Sequence, residues 1–172
     1  MMMTQGIRKF TLTVHITTSV GWLGAVAVFL ALATTGLISE NDQLVRSSYI
    51  VMDVITKSVI LPLSIASLIS GVIQSLGTKW GIFRHYWVVV KLILTIIAAI
   101  VLILQLEPIS YIAAQAYGSP LTSGSFHEVR LSLVVHAVGG IVVLLSIIAL
   151  SVFKPRGITR YGWRKQLEQE RS

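Results

Sequence analysis

The residues of this chain that could do chemistry are few, and several sit in apolar surroundings where polarity is costly. His15 lies in LTVHITTSVGWLG (Leu12 to Gly24) and His136 in VVHAVGGIVVLL (Val134 to Leu145). Asp53, Lys57 and Lys91 also interrupt apolar runs. Ionisable groups inside such runs are functional candidates by default. His15, Ser19 and Trp22 recur at i, i+4 and i+7, which puts them on one helical face. Gly24 and Ala25 follow with small side chains, so a flat, bulky group could lie against that surface. His136 has Ser132 one turn before it and Gly139 and Gly140 one turn after. The alternative for each histidine is a hydrogen bond across helices, with Trp22 as packing. Asp53 and Lys57 stand four apart with the acid first, the favourable order for an in-helix pair. They read either as a structural ion pair near a membrane surface or as a proton or ligand site on a transport path.

Other chemistry is excluded by what the chain lacks. It has no cysteine, which removes disulfides, iron–sulfur clusters and thiolate zinc sites. No phosphate loop, HExxH helix or Ser–His–Asp set is present. Nothing indicates an enzyme acting alone. The net charge of +7 could suggest nucleic acid. The basic residues gather instead at the ends of apolar runs and in the C-terminal tail, which argues for lipid and against nucleic acid.

The elements that must position these residues follow from hydropathy. The 172 residues are 54% hydrophobic and 12% charged, with mean hydropathy +0.80. A soluble domain carries about a quarter charged residues, so too little polar surface exists to cover a globule in water. A helix crosses a bilayer core with about 20 apolar residues. Four runs qualify, at about 10–38, 48–76, 86–106 and 126–153. The expected fold is all-α: an integral membrane four-helix bundle over 1–153, up-down and antiparallel, followed by a basic tail over 154–172. Arg8, Lys9, Lys79, Arg84 and the tail cations alternate with a first loop of low positive charge and a third loop with none. That bias puts both termini on the cytoplasmic side of a multi-pass protein of the cell membrane.

Local signals refine these elements. Pro62 should kink the second span. Ser125-Phe-His-Glu128 fits a capping box at the start of the fourth. EPISYIAAQAYG, in the third loop, reads as an interfacial loop or a short amphipathic piece. Ser67 with Gly71, and His136 with Gly140, suit close helix packing. The tail, with Trp163 among cations, reads as a segment lying on anionic lipid headgroups. From the rise per residue, the polar groups form two layers. His15 and Lys91, with His85 and Arg84 at the edge, are inner. Asp53, Lys57 and His136, with His127, Glu128 and Arg130 at the edge, are outer.

HITTSVGWLG in the first span, the lysine in VVVKLILTIIA and VVHAVGGIVVLL in the fourth resemble the small four-helix bacterial membrane proteins related to copper-resistance protein D. These are similar in turn to cytochrome-b561-like bundles, including the halves of haem A synthase. The resemblance covers roughly 10–153. It implies a bacterial inner-membrane protein that binds haem b, with His15, His85 and His136 as candidate iron ligands. It also implies Lys91 or a nearby arginine on the propionates and Trp22 beside the ring. The chain departs from a two-haem pattern. His15 and His136 differ in depth by roughly 15 Å from the helical rise, so they should not share an iron. His15 and His85 could pair if the third helix starts early, and His136 could hold a five-coordinate haem alone. His127 and His136 lie on opposite sides of one helix. Three functions fit the sequence: a b-type haem protein in electron transfer or haem handling, a transporter or ion-binding bundle using Asp53, Lys57, Lys91 and His136, and a non-catalytic membrane subunit. The last implies a homo-oligomer or a membrane protein partner.

Overall fold

The computed structural model describes residues 3–78, 81–118 and 126–170. Among these the regular elements are helices: α1 (Gln5–Ile38), α2 (Asp42–Ile55), α3 (Leu61–Leu76), α4 (Tyr86–Gln115), α5 (His127–Phe153) and α6 (Arg160–Glu170). A π-helical turn over Thr56–Ile60 joins α2 to α3, so Asp42–Leu76 runs as one helix. That helix, α1, α4 and α5 are each long and apolar enough to cross a membrane. The four expected spans are therefore present as helices.

The π-turn has a local cause. Pro62 has no N–H to give to the carbonyl four residues earlier, and its ring crowds that carbonyl. The helix does not break there but widens just before it: the Leu61 N–H bonds the Thr56 carbonyl, five residues back. The Thr56 hydroxyl, fully buried, donates to the Met52 carbonyl at 2.7 Å. The anomaly expected at Pro62 is thus a π-bulge one turn upstream.

The third span ends later than hydropathy suggests. α4 continues through Pro108 to Gln115, across much of the stretch expected as a loop. Ile109, Ile112 and Ala113 on the extension are buried. Asp53 Oδ1 accepts from the Ser110 hydroxyl at 2.8 Å, and Arg46 Nη1 donates to the Ala116 carbonyl at 3.1 Å. Tertiary packing and a charged cap thus carry the helix past a residue that would otherwise end it. At other ends, Asn41 Oδ1 caps α2 by accepting from the Leu44 N–H, and Lys154 closes α5 in the left-handed conformation (φ 43°). Phe126 stands at the α5 N-cap without a side-chain bond, and the expected cap residue Ser125 lies outside the described residues.

α1 packs against α2, α3 and α5, and α4 packs against α2, α3 and α5. The core runs through Trp22, Phe29, Tyr49, Met52, Ile112 and Leu133. Outward faces are apolar as well: Val20, Val28, Ile69, Ile100, Leu104 and Val142 are all exposed. Water would penalise so much contiguous apolar surface, whereas lipid tails are as apolar as leucine and do not.

Candidate functional site: an apolar cavity beside His136

A cavity of ≈ 390 Å³ opens between α1, α4 and α5. Trp22, Phe29, Leu133, Gly139 and Gly140 contribute to its walls, and Ile60 of the π-turn reaches it. Two groups in the lining carry hydrogen-bonding chemistry beyond the indole: His136 from α5 and Gln105 from α4. The glycines make the space. A Cβ at Gly139 would meet nothing within 4 Å, and one at Gly140 would meet only Val26 Cγ1, at 3.8 Å. The rim includes Ile97, Val101 and Val135, which are exposed on the apolar outside of the bundle.

His136 is held by its own helix. Its Nδ1 lies 2.7 Å from the Ser132 carbonyl oxygen and 3.2 Å from the Ser132 hydroxyl. A carbonyl only accepts, so Nδ1 carries a proton and donates it to Ser132. The Gln105 side-chain oxygen is buried and has no hydrogen-bond partner. Leaving such an acceptor unmet costs about 1–3 kcal/mol.

His15 faces elsewhere. Its Nδ1 lies 3.1 Å from Ser70 Oγ, and the Ser70 hydroxyl donates to the Ser67 carbonyl at 3.1 Å. A Cβ at Gly71 would stand 3.0 Å from His15 Cε1, so that glycine admits the ring. Thr11 donates to Gln74 Oε1 at 2.7 Å, and Ser19 pairs with Ser67 at 2.7 Å. These contacts form a polar ladder along the α1–α3 seam, with Gly21 close to Leu63 beyond it. Trp22 and His136 share the cavity, whereas His15 belongs to the ladder.

His85 precedes α4 and bridges backbone to backbone with Ile158 of the tail; its ring is 6.4 Å from Trp87. Lys91 Nζ lies 5.8 Å from the Trp87 ring centroid, and its electrostatic neighbours include His15 and Lys154. Asp53 pairs with Lys57 at 2.8 Å as the i, i+4 spacing suggests, and it also holds Ser110. Lys57 is half exposed on the outside of the bundle.

Sequence reasoning left several important residues at the edge or unmentioned. Arg130 is 5% exposed and caps α1 by donating to the carbonyls of Gly36 and Leu37, the latter at 3.0 Å. Its Nε also reaches the Tyr49 hydroxyl at 3.3 Å. A cation at a helix C-terminus is favourable on dipole grounds, but only the tertiary fold brings α5 to the end of α1. Gln105 carried no signal, since a lone glutamine in an apolar run reads as a neutral interruption. The tail also folds back. The Tyr86 N–H donates to the Gly157 carbonyl and the Thr159 N–H to the Arg84 carbonyl, and α6 starts at Arg160.

The cavity can be tested against haem b. His136 Nε2 could supply one axial bond to iron. The lining holds no second imidazole, and no lysine or arginine for propionates. Among the described residues no three His, Asp or Glu side chains gather to hold a metal. The cavity residues therefore do not fit a bis-histidine haem. Comparison with family models, curated proteins and solved structures returned no match to this chain.

Proposed function

We propose that this chain is a non-catalytic multi-pass membrane protein that holds a flat, largely apolar guest in the α1–α4–α5 cavity. In this reading the four long helices span the bilayer as an antiparallel bundle. The cationic loop and tail put both termini on the cytoplasmic side. The guest enters sideways from the lipid, past Ile97, Val101 and Val135. Trp22 contributes to the wall, and Gly139 and Gly140 leave the space. The carrying observation is an apolar cavity of ≈ 390 Å³ with a single imidazole at its wall, its Nδ1 bonded to the Ser132 carbonyl. Ligand sites are mostly apolar clefts of about 300–1,000 Å³ with a few convergent polar groups.

A transport path finds less support. Asp53 and Lys57 satisfy each other and Ser110, and the cavity beside His136 is apolar. Energy transfer from Trp22 to pyrene tests the proposal in purified protein. Transfer should saturate in the wild type and disappear in Gly139→Leu, whose Cβ would meet nothing within 4 Å. Non-saturating transfer, or transfer unchanged in Gly139→Leu, would count against it. Adding haem b tests the occupant. A six-coordinate bis-histidine spectrum that vanishes in His15→Leu and survives His136→Ala would contradict the cavity assignment.

A further inference from the structure

The tail carries more than net charge, because it is fixed to the start of α4. The Tyr86 N–H donates to the Gly157 carbonyl at 3.4 Å and the Thr159 N–H to the Arg84 carbonyl at 3.0 Å. The Thr159 hydroxyl donates to the Phe83 carbonyl and accepts from the Gly162 N–H, the latter at 3.0 Å. A Cβ at Gly157 would stand 3.4 Å from Tyr86 Cδ2, and Gly162 is buried against the Arg84 carbonyl. These contacts hold an open cleft of ≈ 350 Å³ between α6 and the first residue of α4. Tyr86, Ile158, Thr159, Arg160, Trp163 and Arg164 line it.

The cleft is cationic and aromatic. Arg160 and Arg164 stand four apart on α6, so they are neighbours on one helical face. Among the described residues neither takes part in an ion pair, and no carboxylate lines the cleft. Glu168, the next acid along that face, is paired with Lys165 at 3.1 Å. Tyr86 and Trp163 are each more than half exposed, at 56% and 58%. Tyr86 also opens a helix long and apolar enough to cross a membrane. The cleft therefore stands at the level where the headgroups of a bilayer begin, which Tyr and Trp favour. Guanidinium groups match the oxygens of a phosphate. We infer that this cleft binds the headgroup of an anionic phospholipid, its phosphodiester on Arg160 and Arg164 and its chains entering the bilayer beside α4. A zwitterionic phospholipid fits worse, since its ammonium would meet two guanidiniums and no carboxylate. The inference rests on the membrane-spanning part of the reading above. It is independent of the guest in the α1–α4–α5 cavity, with which the cleft shares no lining residue.

The test uses the full chain in uncharged detergent micelles, where no lipid surface attracts the tail as a whole. Binding of single lipids is counted by native mass spectrometry, with helical circular dichroism confirming the fold of each variant. One dioleoylphosphatidylglycerol should bind about tenfold tighter than dioleoylphosphatidylethanolamine. Arg160→Gln and Arg164→Gln should each weaken it about fivefold, the effect of one cation at a lipid surface. Arg156→Gln removes the same charge from outside the cleft and should change binding by less than about twofold. Gly162→Ala keeps every charge but has no room against Arg84, so it should abolish the preference once tryptic cleavage at Arg160 shows α6 lifted. Equal losses in Arg156→Gln and Arg164→Gln, or a preference intact with α6 lifted, would overturn the cleft in favour of diffuse attraction. Displacement by inorganic phosphate but not by chloride at equal ionic strength would overturn the lipid and assign the cleft to a soluble phosphate. Loss of the bound lipid in Gly139→Leu would place it in the α1–α4–α5 cavity, overturning the cleft but not that cavity.

Discussion

Arg130 is the side chain whose loss the fold should feel most. It ties α5 to the end of α1 and to Tyr49, and removing it leaves the Gly36 and Leu37 carbonyls without their donor. Arg130→Met should destabilise the protein by about 3 kcal/mol, measured by denaturant unfolding in detergent, given the strength of hydrogen bonds to a charged group. Gly36 beside it must stay small, because a Cβ there would approach Tyr49 Cζ to 2.7 Å. Gly36→Ala should cost about 1–3 kcal/mol through overpacking. Enlarging the space with Tyr49→Ala should make the two changes non-additive in a double-mutant cycle. Neither residue could be weighted from sequence. Arg130 read as an edge cation, and Gly36 as one of many small residues in an apolar run. Asp53 was half legible: the i, i+4 spacing announced Lys57, but Ser110 is 57 residues away and had no local signature.

Helix pairs show the same division. The four apolar runs announce themselves by length and composition. The α1–α3 ladder does not, because its partners are an ordinary threonine, serines and a glutamine on separate segments. His15 drew attention as a candidate iron ligand, and the structure gives it Ser70 as a partner across the seam. Interhelical hydrogen bonds in membranes are worth about 0.6 kcal/mol on average and up to about 1.7. Ser70→Ala should therefore cost within that range, and a ΔΔG clearly above it would mean that the ladder is more than packing. The end of α4 was misjudged for a physical reason: Glu107 and Pro108 look like a helix stop, while Ile109, Ile112 and the Ser110–Asp53 bond lie outside any local window. The tail is another case. Gly162 sits against the Arg84 carbonyl, leaving no room for a methyl group. Gly162→Ala should lift α6 away and speed tryptic cleavage at Arg156 and Arg160. The bundle's melting temperature should stay unchanged; a drop in that temperature would show that the tail is integral to the bundle.

For the molecule as a whole, the exposed apolar faces, the cationic tail and a cavity rimmed by exposed apolar residues suit a body surrounded by lipid. The absence of cysteine makes its topology simple to map. Glu40→Cys should react with a membrane-impermeant thiol reagent from outside intact cells, and Gln166→Cys only after permeabilisation; the reverse pattern would invert the orientation. The central claim is that the cavity holds a guest drawn from the bilayer. The most direct measurement is mass spectrometry of the organic-solvent extract from protein purified gently from its own membrane, wild type beside Gly139→Leu. The account predicts a flat, largely apolar compound extracted in near-stoichiometric amount from the wild type and lost from the variant. Equal amounts from both proteins, or phospholipid alone from the wild type, would contradict it.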